Sequence, residues 1–244
     1  MTPLALAIQF LTVLPLRVKA DVRDEDLARS MGFYPLVGGL MGAVSAGVYF
    51  LANKFIGTPA AVVSATASLA VLSGALHLEG FADLCDGFYA GRNKDEVLAI
   101  MKDSHAGPMA IVGLFLLLAL KLAFLYGVPE TSRMAALVLA PTLARWSMVY
   151  LCALSTYARA AGGTGSPYVG KVKAMDLAKA ALFAFLISWG ACKRAGVLIF
   201  AGGTVFAWIF KRWVYGRIDG MTGDALGACG ELVEAGVLAF LAIK

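Results

Sequence analysis

Long apolar runs alternate along the chain with short polar stretches that carry most of its glycines and charges. Runs long enough, or nearly so, to cross a hydrocarbon core of about 30 Å fall at about 31–52, 59–76, 108–126, 133–154, 178–192, 195–210 and 225–242. They predict an all-α fold, a polytopic integral membrane helical bundle of about seven transmembrane helices in a single membrane-embedded domain spanning 1–244. The fifth and sixth runs are short and split by Lys193 and Arg194, so they read equally as one broken hairpin or as a tilted pair. Met1–Leu16 is apolar but is followed, not preceded, by Arg17 and Lys19, which is unlike a cleavable signal peptide and predicts a short interfacial or re-entrant segment.

Composition agrees with this pattern. The chain is 60% hydrophobic and only 15% charged, with a mean hydropathy of +0.78, whereas soluble domains are about 25% charged. The net charge of +5 does not point to nucleic acid, because the basic residues form short clusters between spans. Placing 17–30, 77–107, 155–177 and 211–224 on one side gathers 13 of the 21 Lys and Arg residues, and the opposite side keeps five: Lys54, Arg133, Lys193, Arg194 and Lys244. The richer side is then cytoplasmic. It also collects the acidic clusters, which predicts a substrate site facing the cytoplasm.

Two acidic blocks stand out. In G-A-L-H-L-E-G-F-A-D-L-C-D-G-F, residues Glu79, Asp83 and Asp86 follow an apolar run; at 100° per residue they form one helical stripe. In T-G-D-A-L-G-A-C-G-E-L-V-E, Asp224 and Glu231 share a face, with Glu234 a turn deeper than Glu231. Asp224 sits where a helix N-cap is expected, which alone can explain it; Glu231 and Glu234 lie inside an apolar span and require a partner. Two stripes on one side of the membrane suggest a shared Mg²⁺ site, since magnesium takes hard oxygen ligands and keeps waters and substrate phosphates in its shell. Zinc is disfavoured, because His77 and His105 are far apart and Cys85, Cys152, Cys192 and Cys229 form no C-x-x-C.

A phosphate substrate needs cations, and Arg92, Lys94, Lys102, Arg145, Lys171 and Arg217 are candidates. Arg145 is costly within its span unless it pairs with an acid such as Glu231 or with a phosphate. His77, two residues before Glu79, can serve as a general base or as a helix-end hydrogen-bonding group. No nucleophile elbow or phosphate-binding loop motif is present. Gly38, Gly39, Gly42 and Gly47 fit close helix packing in lipid. The stretch A-G-G-T-G-S-P-Y-V-G at 161–170, flanked by Arg159 and Lys171, reads either as a loop that closes over an anion or as a linker.

Taken together, His77-Leu78-Glu79-Gly80-Phe81-Ala82-Asp83 with Asp86-Gly87, Gly91-Arg92, Met101-Lys102-Asp103-Ser104 with Gly107, and Thr222-Gly223-Asp224-Ala225-Leu226-Gly227-Ala228 with Glu231, Leu232 and Glu234 resemble the adenosylcobinamide-GDP ribazoletransferases, or cobalamin (5′-phosphate) synthases. F-L-T-V-L-P at 10–15 and F-Y-P-L-V-G at 33–38 extend the resemblance over nearly the whole chain. Pro108-Met109-Ala110 and Asp219-Gly220 depart from the family pattern without touching an acidic position. The resemblance implies a multi-pass enzyme of a bacterial or archaeal cytoplasmic membrane, acting late in cobalamin biosynthesis. Such an enzyme joins adenosylcobinamide-GDP to α-ribazole or its 5′-phosphate, releases GMP and requires Mg²⁺. On that reading Glu79, Asp83 and Asp86 hold the metal, while His77, Asp224 and Glu231 are catalytic candidates. Arg92, Lys102, Ser104, Arg145 and Arg217 contact substrate, and a homo-oligomer stays open.

Two other classes compete. A CDP-alcohol phosphatidyltransferase-like enzyme also attacks a nucleotide diphosphate from membrane-boundary aspartates, but its D-G-x-x-A-R opening is not matched: Glu79-Gly80-Phe81-Ala82 runs into Asp83. A secondary transporter predicts an inverted repeat, and none is evident.

Overall fold

The computed structural model describes residues 3–16 and 22–243; Met1, Arg17, Lys19, Asp21 and Lys244 of the sequence reading lie outside them. The elements are α1 (Pro3–Leu11), α2 (Asp24–Ser30), a 3-10 turn (Met31–Phe33), α3 (Tyr34–Ile56), α4 (Thr58–Leu72), α5 (Leu76–Ala90), α6 (Lys94–Ile100), α7 (Pro108–Gly127), α8 (Glu130–Ala153), α9 (Ala174–Ile218) and α10 (Gly223–Ala242). Among the described residues, five helices are long and apolar enough to cross a membrane, or six when α4 and α5 count as one broken span.

The expected seven runs map onto fewer elements, because the fifth and sixth share α9 and the second, α4, is short. The runs at 178–192 and 195–210 lie in one helical stretch, broken where Lys193 adopts φ 51°, ψ −128°. There the chain folds back, because Gly196 lies against the Ser188 carbonyl, eight residues earlier. The broken-hairpin alternative is therefore the one observed. Both hairpin arms return to the same end of the bundle: Asp176 packs on Gly32, and Arg217 reaches Phe88 and Gly91. Helix α4 has only 15 residues, about 22 Å of rise, less than the roughly 30 Å of a hydrocarbon core. Its C-terminus, where the Leu72 carbonyl accepts the Val13 N–H at 2.8 Å, turns by 89° into α5, with Gly74 and Ala75 taking positive φ at the corner.

Helix α8 is the hub. Its residues from Ala136 to Val149 are nearly all buried, and α3, α9 and α10 pack around it. Gly38 and Gly42 of α3 lie directly on the α8 backbone at Pro141 and Leu137, where any Cβ would collide; the expected small-residue contact is met at these two positions. Gly47 has nothing within 4 Å and takes no part. Buried Arg133 donates to the carbonyls of Leu125, Tyr126 and Val128 at 3.1, 2.9 and 2.8 Å. It thereby closes the C-terminus of α7, whose last carbonyls have no helical partner.

Candidate active site

Two glycines bring the acidic blocks together. Helix α5 crosses the start of α10 with its backbone in contact: a Cβ on Gly80 would stand 2.8 Å from the Asp224 Cα, and a Cβ on Gly227 would stand 3.1 Å from the His77 Cα. Because Gly80 and Gly227 each leave room for the other helix, the stripe on α5 meets the first turn of α10. The Asp83 carboxylate consequently faces Asp224, Glu79 and Asp86, with the Arg159 guanidinium as the opposing charge. Thr222, not Asp224, caps α10, its hydroxyl accepting the Ala225 N–H at 3.1 Å. Asp224 is left free to accept from Arg159 Nη2 at 3.0 Å.

Arg159 belongs to the glycine-rich segment, which lies across this site. Gly165 packs on the Gly223 backbone, 2.9 Å from its nitrogen at the Cβ position, and Gly163 takes φ +159° beneath the Tyr157 ring. Arg159 also reaches the Met101 carbonyl at 3.4 Å, tying the segment to the turn after α6. Along the sequence Arg159 stands only as a flank of the glycine run. Its signal was present, since a lone arginine beside a glycine run in a chain with two acidic blocks needs a counter-charge.

Asp86 is committed locally. Its two oxygens accept the N–H groups of Gly107 and Ala110 at 2.6 and 2.8 Å, so a side chain of α5 caps the N-terminus of α7. Glu79 is exposed and Asp83 is half-buried. Among the described residues, no three His, Cys, Asp or Glu groups stand close enough to hold a metal by themselves. Magnesium does not demand that, being held by one or two carboxylates with waters and substrate phosphates completing its shell. The Glu79, Asp83 and Asp224 oxygens, concentrated negative charge opposed by one arginine, fit that ion. Zinc's tetrahedral nitrogen and sulfur set is not offered.

Glu231 and Glu234 do not join this cluster. Seven and ten residues beyond Asp224, about 10–15 Å along the helix, they face α7 and α8 in a buried quartet. Lys121 Nζ donates to Glu231 at 2.5 Å and to Glu234 at 2.7 Å, and Arg145 Nη1 donates to Glu234 at 2.6 Å. All four side chains are less than a tenth exposed. Of the two partners open to Arg145, the acid is the one observed, and that acid is Glu234. Lys121, inside the 108–126 apolar run, completes the quartet; two acids and two bases inside apolar spans are its signal in the sequence.

The other basic candidates scatter. Arg217 donates to the carbonyls of Phe88 and Gly91, both at 2.9 Å, and stacks on the Phe88 ring, closing the C-terminus of α5. Lys94 pairs with Asp219 at 3.7 Å and Lys171 with Asp24 at 2.7 Å. Arg92, Lys102 and Ser104 are exposed on the turns around α6, at the same end of the bundle as the carboxylates. His77 is 3% exposed and packs against Gly227 of α10.

Comparison with known proteins agrees with the acidic blocks. The family model described as cobalamin-5-phosphate synthase matches residues 3–242. This chain belongs to that family. Relatives called adenosylcobinamide-GDP ribazoletransferase include those of Clostridium novyi, 36% identical over all of this chain and 98% of the relative, and of Geotalea daltonii, 39% identical over 93% and 92%. A third, from Pseudomonas paraeruginosa, is 39% identical over 98% and 97%. No solved structure matches the chain.

Proposed function

We propose that this chain is a Mg²⁺-dependent adenosylcobinamide-GDP ribazoletransferase of a bacterial cytoplasmic membrane, with its site open to the cytoplasm. It joins adenosylcobinamide-GDP to α-ribazole, or to its 5′-phosphate, and yields adenosylcobalamin, or its phosphate, and GMP. The observation that carries this reading is the meeting of Asp83 with Asp224 and Arg159 across the glycine crossing, in a chain of this family. The cytoplasmic orientation rests on the surplus of Lys and Arg at the same end.

A ribose hydroxyl oxygen of the acceptor bonds to the phosphorus on the cobinamide side of the diphosphate. The bridging P–O bond breaks, and the electron pair leaves with GMP. Asp224 takes the hydroxyl proton, while Arg159 is placed to hold phosphate oxygens as charge builds on them. Glu79 and Asp83, beside Asp224, would hold Mg²⁺, and the bound ion would neutralise charge on the leaving nucleotide. Asp86 fixes the stripe by capping α7, and Arg217 fixes its far end. The Glu231–Glu234–Lys121–Arg145 quartet anchors α10 below the site.

Purified protein in lipid nanodiscs, given adenosylcobinamide-GDP, α-ribazole and Mg²⁺, is expected to release GMP in step with cobalamin formation. Release that stops with EDTA and returns with Mg²⁺ supports the metal. No GMP release, or CMP release from a CDP-lipid in its place, overturns the proposal.

A further inference from the structure

Beneath the acid cluster, on the membrane side of Asp224, lies a cleft of about 590 Å³ including its open mouth. It is enclosed by α1, the 3-10 turn, α3, α8 and the first turns of α5 and α10, and the glycine-rich segment forms one wall. Three aromatic rings line it: Phe10 lies 5.0 Å from Tyr168 and 6.0 Å from Tyr34 between ring centroids. The remaining wall is mostly apolar, with Met148 and Cys152 at its floor. In this lining His77 Nε2 is buried and has no hydrogen-bond partner within the protein, while the buried Tyr34 hydroxyl has Tyr168 and Ser30 as polar neighbours. His77 and Tyr34 are 3% and 1% exposed. Buried polar atoms normally are paired, so an orphaned imidazole nitrogen on a residue lining an apolar cleft indicates a ligand that brings its own polar atoms. Burial pushes the Tyr168 phenol up to about 12, so its hydroxyl stays protonated and the ring neutral.

We propose that this cleft receives the flat aromatic base of the acceptor nucleoside, stacked against Phe10 and Tyr168, with a ring nitrogen or a ribose hydroxyl meeting His77. The inference rests on the transferase reading and assigns its acceptor subsite. Asp224 belongs both to the cleft and to the carboxylate cluster, so a nucleoside seated by its base presents its ribose at the residue that accepts the proton. The diphosphate donor stays on the other side of Asp224, with Asp83 and Arg159. His77 on this view is a positioning residue of the acceptor site and lies away from the diphosphate.

The test is steady-state kinetics of full-length protein in nanodiscs, varying α-ribazole and adenosylcobinamide-GDP separately. Stacking of a base on an aromatic side chain is lost on truncation to alanine, so Tyr168→Ala and Phe10→Ala are each expected to raise the acceptor KM at least about fivefold. The donor KM and the kcat at saturating acceptor are expected to hold within about twofold, which also shows that the variants are folded. An unchanged acceptor KM in both alanine variants, or a rise in donor KM instead, overturns the subsite and leaves the transferase reading intact. Absence of GMP release by the wild-type protein overturns that reading and the subsite with it.

Discussion

The quartet at the centre of the bundle offers a stability test whose sign and size follow from charge counting. Lys121 and Arg145 carry two positive charges, Glu231 and Glu234 two negative, and all four are buried. Replacing Lys121 by Met keeps the volume of the side chain but leaves two carboxylates facing one arginine. Breaking a buried pair by removing one partner costs about 3–5 kcal/mol, chiefly because the remaining charge is left uncompensated. Adding Glu231→Gln restores neutrality, since Arg145 and Glu234 remain paired at 2.6 Å. Lys121→Met/Glu231→Gln is therefore expected to regain most of the loss, whereas the single variant does not. Unfolding by SDS in mixed micelles, followed by tryptophan fluorescence, gives the two free-energy differences and their coupling. A Lys121→Met protein as stable as wild type, or a double variant no better than the single, refutes the argument.

Three further predictions concern the site. Asp83→Asn is expected to lower GMP release at least about a hundredfold, the scale of losing one electrostatic group aimed at the reacting centre, with unchanged membrane insertion; near-normal turnover refutes its role. Asp86→Ala is expected to destabilise the protein by about 0.5–2 kcal/mol, the usual cost of a lost helix cap, and to leave the Mg²⁺ concentration for half-maximal rate unchanged; SDS unfolding and a Mg²⁺ titration read the two effects. Gly80→Ala puts a methyl group 2.8 Å from the Asp224 backbone, which must push α5 and α10 apart. Activity is expected to fall more steeply than unfolding free energy, and equal losses in both count against a positional role for this glycine.

Much of this protein was legible in its residues. The apolar runs and sparse charges dictated a helical membrane protein, because buried backbone in lipid must satisfy its hydrogen bonds within helices. The spacing of Glu79, Asp83 and Asp86 placed them on one helical stripe, and the Thr222–Glu234 block announced a second acidic helix. Gly38 and Gly42 announced a close helix contact, though not that its partner is α8.

Other features were decided only by tertiary structure. Nothing in the sequence paired Gly80 with Asp224 and Gly227 with His77, because which two small residues meet depends on a crossing angle set by the 89° turn after α4. The Asp224–Glu231–Glu234 block reads as one motif along the chain, yet the fold divides it. Asp224 emerges among the carboxylates and Arg159, while the glutamates, about two to three turns deeper, meet Lys121 and Arg145. Asp86 likewise shows only in three dimensions that the start of α7 rests on it. Sequence periodicity fixes which residues share a face of one helix; a buried charge takes its role from whichever opposite charge or open amide another helix sets against it, and only packing in three dimensions supplies that partner.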